Sequence, residues 1–329
     1  MSEPRPAGER HPVLPHALPG ERRELASRAG PLSYYASTST GAPTSPVATR
    51  STQATSPGEP HAAPPVLLLH SMNAAGSAYE VRPLYERLRG ERAVYALDFP
   101  GFGFSERSER EYVPRLMTDA VHAVVAELRA AHGGAPVDAL ALSLSCEFLA
   151  RAAVERPTDY RTLALVSPTG FSGATRGDGP PGAHRGIRPL HAVLAARPWA
   201  RALFGALTRP GTIRYFLQRT YGSKRIDEDL LAYDVLTTHQ PGAEHAPLYF
   251  VSAFLFSQDA LRLYATLPHP VWMTHGVRGD FTDYRRAKDF ASRPNWRIDV
   301  YDTGALPHFE RADEFARAYR AFLEAAPAP

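Results

Sequence analysis

Residues 136–146 read PVDALALSLSC. A strand-like apolar run over Val137 to Leu142 stops at Ser143, and a helical pattern starts within two residues of it. A serine at such a strand-to-helix turn is held on a tight bend, with its hydroxyl exposed above a sheet edge. The free N–H groups at the start of the helix point at whatever that serine attacks. Serine alone is a poor nucleophile, so this reading requires an activating base and an orienting acid elsewhere in the chain.

The flanking sequence alternates strands and helices. Val66 to His70 is a short, continuously apolar run, as expected of a strand buried on both faces, and Ala93 to Leu97 is a second. Val121, Val124, Val125 and Leu128 fall at i, i+3, i+4 and i+7 of a helix that Gly133-Gly134 stops. After the turn at Ser143 a helix runs to about Glu155, before Pro157. Further strands are predicted at Thr162–Val166, Val271–His275 and Arg297–Tyr301. Phe315, Ala318, Tyr319, Phe322 and Leu323 give the last helix an apolar stripe. This pattern predicts an α/β fold, a mostly parallel sheet with helices on both faces.

Two stretches differ from this rhythm. Residues 1–64 are rich in Pro, Ser, Thr and charge, and the expectation is a flexible extension with an edge strand at 32–36. Residues 172–265, between core segments 65–171 and 266–329, show no strand of the main sheet. They open on SGATRGDGPPG and continue as helical, aromatic-rich segments, which predicts an inserted helical cap.

Composition narrows the partners. A net charge of +3 over 329 residues comes from scattered arginine, so no nucleic-acid stripe is expected. No run is apolar and long enough to span a bilayer and no secretory signal is visible, so the expected location is cytoplasmic. The single cysteine, Cys146, excludes an internal disulfide framework and fits a reducing compartment. The histidines and that cysteine lack metal-ligand spacing, and no cofactor is expected; the expected partner is a small-molecule substrate with an apolar or aromatic portion.

Four segments in this order, VLLLHSMN (66–73), LDFPGFGFS (97–105), ALSLSC (141–146) and GALPHFERADEF (304–315), resemble the α/β-hydrolase superfamily, in particular its cap-bearing serine hydrolase branch. The resemblance implies Ser143 as nucleophile, with Ser145 as the rival, in an elbow whose two usual glycines are Ala141 and Ser145. It implies His308 as base and an acid in GVRGDFTDY, Asp280 in preference to Asp283. It also implies an oxyanion hole from the backbone N–H groups of Met72 and Leu144. Asp98, Gly101 and Gly103 read as a structural turn, and His275 as a strand-end residue. The activity implied is that of a serine hydrolase forming an acyl-enzyme, with a carboxylic ester as the leading substrate class. Carbon–carbon bond hydrolysis is the enzymatic alternative. The loss of the elbow glycines and of the His-Gly glycine, here Ser71, points to a third reading, a catalytically silent binding protein of the same fold. Arg185, Arg188, Arg197 and Arg201 are the cap cations that could meet a substrate carboxylate.

Overall fold

The computed structural model describes residues 11–37, 63–173, 179–196 and 199–328. Eight strands form one sheet: β1 (Glu21–Leu25), β2 (Leu32–Ala36), β3 (Val66–Leu69), β4 (Val94–Asp98), β5 (Val137–Leu142), β6 (Tyr160–Val166), β7 (Val271–Gly276) and β8 (Trp296–Tyr301). Their order is β1-β2-β4-β3-β5-β6-β7-β8. Strands β3 to β8 are parallel, and β2 runs antiparallel to both β1 and β4.

Successive residues of a strand point to opposite faces, which explains the unbroken apolar runs. Leu67 and Leu69 enter one core layer with helices α2 (Pro114–Ala131) and α3 (Ser145–Glu155). Val66 and Leu68 enter the other with α1 (Arg82–Leu88) and the C-terminal α11 (Ala312–Ala325). The one acid inside β5, Asp138, is fully buried; Arg161 meets it at 2.9 and 2.6 Å, and Thr162 Oγ1 donates to it at 2.7 Å. That neutralisation lets a carboxylate occupy a buried strand.

The N-terminal expectation needs correction. Residues 11–37 belong to the sheet, and β2 is an inner strand, not an edge. Its alternation explains this: Leu32, Tyr34 and Ala36 pack into one core layer and Tyr35 into the other. The edge is β1, whose ERREL sequence carries local Arg–Glu pairs and leaves a charged rim rather than a sticky one. The rest of the expected extension, 1–10 and 38–62, lies outside the described residues.

Between β6 and β7 lie α4 (Arg188–Leu194), α5 (Ala200–Leu207), α6 (Pro210–Tyr221), α7 (Glu228–Thr238), α8 (His245–Val251) and α9 (Ala260–Thr266). The last of these is not cap. Leu261, Leu263 and Tyr264 of α9 bury themselves in the core layer beside α3, so the core resumes before residue 266. The cap helix α7 is anchored to the core: Tyr233 stacks on Tyr79 at 4.7 Å, and its hydroxyl donates to the Pro15 carbonyl. No described helix is long and apolar enough to cross a membrane.

Candidate active site

The turn after β5 has the geometry its sequence predicts. Ser143 sits at φ 52°, in the left-handed region that a non-glycine residue occupies only under local constraint. Its N–H donates to the Val166 carbonyl (2.8 Å), and α3 starts two residues later. The rival, Ser145, is fully buried, and its hydroxyl donates to the His70 carbonyl, tying α3 to the loop after β3. Ser143 is therefore the serine that faces open space.

That loop is held from behind. The Glu80 carboxyl accepts from the Ser71 N–H (2.6 Å), the Ser71 hydroxyl (3.0 Å) and the Asn73 amide (2.7 Å). The His70 ring bridges the Ser71 carbonyl (2.7 Å) and the Phe99 N–H (3.1 Å), and burial lowers its pKa to about 4, so it stays neutral. Asp98 accepts from the Ala78 and Phe104 N–H groups, and a Cβ at Gly103 would lie 2.0 Å from its carboxyl carbon, which is the structural turn expected there.

Above Ser143 lies a cavity of ≈ 630 Å³. Its floor is Met72, Ser143 and Leu144; its cap wall includes Phe204, Leu217, Leu248, Phe250 and Phe256. Both expected oxyanion residues, Met72 and Leu144, line this space. No histidine does so among the described residues.

The expected base and acid are not brought to the serine. His308 lies in α10 (Pro307–Glu310), 1 % exposed, with its ring against Phe309 and Phe315. Its Nε2 donates to the Glu80 carbonyl (2.7 Å), its Nδ1 is buried without a partner among the described residues, and burial lowers its pKa to about 4. Among the described residues no carboxylate orients this imidazole. Asp280 pairs with Arg219 at the cavity rim, and Asp283 pairs with Arg285 and the Gly173 N–H. Neither acid reaches an imidazole. His275 stacks on Tyr284 at 4.0 Å, as a strand-end residue.

A close backbone contact accounts for this. The C-terminal end of α6 seats directly on the loops after β7 and β8: Asp280 N–H donates to the Arg219 carbonyl (3.2 Å), and Ala305 N–H to the Thr220 carbonyl (2.9 Å). A Cβ on Gly222 would lie 2.3 Å from the Gly279 nitrogen, and one on Gly304 would lie 2.3 Å from the Thr220 carbonyl oxygen. Only glycines permit such an approach. The residues that the β8 loop presents to the cavity are Ala305 and Leu306, and His308 falls behind them.

Three acids missed in the sequence line the cavity instead: Glu80, Glu147 and Asp234. Burial raises the pKa of each. Glu147 accepts from the Thr169 hydroxyl (2.5 Å) and the Ser257 N–H (2.7 Å). The signal for Asp234 was present in LLAYDVLTT: Leu230, Asp234 and Thr238 fall at i, i+4 and i+8, on the buried face of α7. Among the cap arginines, Arg185 lines the cavity, donates to the Ser257 carbonyl (3.1 Å) and leaves Nη2 buried with no partner among the described residues. Arg201 lies by Glu244, Arg188 begins α4, and Arg197 is outside the described residues.

The alpha/beta hydrolase family model matches residues 66–318. The chain belongs to the alpha/beta hydrolase family. Among solved structures, a probable hydrolytic enzyme from Pseudomonas aeruginosa PAO1 is similar at 19% identity and a TM-score of 0.68, covering 94% of this chain and 96% of that one. The enol-lactonase from Burkholderia xenovorans LB400 is similar at 17% identity and 0.64, covering 92% and 100%. A meta-cleavage product hydrolase from Pseudomonas fluorescens IP01 is similar at 16% and 0.62, covering 92% and 97%. These likenesses speak for the fold. None of the curated proteins matches the sequence.

Proposed function

We propose that this family member binds a small, largely apolar molecule bearing an oxygen acceptor in the cavity above Ser143, and forms no acyl-enzyme through His308. The observation that carries this reading is the pairing of an apolar, aromatic-lined cavity with a serine that has no imidazole beside it among the described residues. A carbonyl oxygen over the elbow meets the backbone N–H groups of Met72 and Leu144, and Arg185 Nη2 offers a further donor. Without a base, the Ser143 hydroxyl stays protonated and acts as one more hydrogen-bonding group.

Calorimetric titration with a medium-chain alkyl ester tests this. Saturable binding, recovery of the ester intact, and loss of binding on Phe250→Arg are the expected results. Ester turnover abolished by Ser143→Ala would overturn the reading.

One observation favours a second reading, ester hydrolysis at Ser143. The strained φ of 52° keeps the hydroxyl in attacking posture beside two backbone donors. That reading needs a base other than His308, and turnover indifferent to His308→Gln is its signature.

A further inference from the structure

Of the acids on the cavity wall, one has no hydrogen-bond partner among the described residues. Asp234 is 5 % exposed, lines the cavity, and its Oδ1 makes no hydrogen bond to any described residue. It sits opposite Glu80 because α7 packs on the 3-10 turn Ala78–Val81 through the Tyr79–Tyr233 stack. The two carboxyls have different surroundings. Glu80 accepts from three donors, which stabilise a negative charge. Asp234 has none, and a bare buried carboxylate is strongly disfavoured.

Resting on the binding function proposed above, we infer that Asp234 is a neutral carboxylic acid that donates a hydrogen bond to an uncharged acceptor oxygen, such as a ketone, ester or lactone carbonyl, on the cavity's ligand. Environments that push two neighbouring acids apart assign the charge to Glu80 and the proton to Asp234. The titratable groups facing Asp234 agree with this assignment. They are Glu80 on the 3-10 turn, Asp227 at the start of α7, and the Tyr221 phenol at the end of α6. His308 stands behind Glu80, donating to its backbone carbonyl, and burial keeps it uncharged. Burial above all, with the two neighbouring acids adding to it, holds the Asp234 pKa well above the usual carboxylate range.

The test uses the full chain with three probes of similar size: methyl hexyl ketone, heptane and hexylamine. The expected infrared difference between wild type and Asp234→Asn at neutral pH contains the C=O stretch of a protonated carboxylic acid. Ketone affinity should fall roughly tenfold in Asp234→Leu, the loss of about one hydrogen bond. It should be kept in Asp234→Asn, whose amide still donates. In wild type the ketone weakens as pH rises through the Asp234 pKa, because the donor becomes a charge; in Asp234→Asn that dependence disappears. Heptane binding should ignore both pH and Asp234→Asn.

An ionised carboxylate band, an equal response of ketone and heptane to both variants, or hexylamine binding more tightly than the ketone and lost in Asp234→Asn would each overturn the inference. If ketone and heptane bind indifferently to residue 234, the inference falls and the binding function stands. If Ser143-dependent ester turnover appears while the Asp234 signatures hold, the binding function falls and the donor role stands. Failure of all three probes to bind overturns both.

Discussion

The two halves of the site differ in kind. On one side, the β5–α3 turn and the β3 loop are fixed by local contacts, with Ser143 at positive φ and the β3 loop held by Glu80 and His70. On the other, the loops after β7 and β8 carry Gly279 and Ala305, and the end of α6 lies against them backbone to backbone. The elbow is a local consequence of strand, turn and helix, whereas the far side of the site is set by the packing of α6 on two loops. Family membership establishes the fold and leaves both halves of the site to be read from the atoms.

The largest expected effect comes from restoring what the second half lacks. Ala305 faces the cavity, and the Ser167 hydroxyl that bonds its carbonyl (2.7 Å) is next in sequence to Val166, whose carbonyl holds Ser143. Ala305→His should raise the rate of fluorophosphonate labelling at Ser143 on the order of 10²-fold, the usual worth of a positioned general base. No gain in rate would show that more than the base is missing.

Next in size is the backbone contact itself. Gly279 has φ 83°, and a Cβ there would lie 2.2 Å from the Arg219 carbonyl oxygen. Gly279→Ala should destabilise the fold by about 2–4 kcal/mol in urea unfolding, from positive φ and from displacing α6. A neutral result would mean that α6 does not seat where the structure puts it.

The buried histidine gives a pH-dependent effect. Burial lowers the His308 pKa from 6.5 to about 4. A depressed pKa in the folded state means the neutral ring contributes stability that is present above 6.5 and lost as pH falls through about 4. Wild type should lose up to about 3 kcal/mol from this group across that window, and His308→Gln should flatten the profile there. A profile unchanged by His308→Gln would place the imidazole in water rather than behind Glu80.

Ser145→Ala is the smallest change. It removes one buried hydrogen bond to the His70 carbonyl and should cost about 1 kcal/mol, and added to Ala305→His it should leave the labelling of that variant at Ser143 unaltered. Loss of labelling in the double variant would exchange the roles of the two serines.

Legibility in the sequence followed the range of the interactions involved. Periodicity exposed β3 to β8 and the elbow, because those patterns repeat within a few residues. Of the sheet's N-terminal strands, LSYYA was legible as a strand but not as an inner one, and the charged run ERREL gave no strand signal at all. His308 reads as a base because it follows the last strand and precedes the last helix. Which residue of GALPH faces the cavity depends on the local backbone path, and the Thr220 carbonyl of α6 holds that path by accepting from the Ala305 N–H. Asp234 went unread although it shares a helix face with Leu230 and Thr238, because it is the tertiary packing of α7 on Tyr79 that takes that face out of water.

The central claim is that Ser143 stands without a base. Intact-mass analysis of the full chain after incubation with a fluorophosphonate tests it directly. The account predicts wild type essentially unmodified under conditions in which Ala305→His is labelled at Ser143. Rapid stoichiometric labelling of wild-type Ser143, abolished in a folded His308→Gln variant, would contradict it.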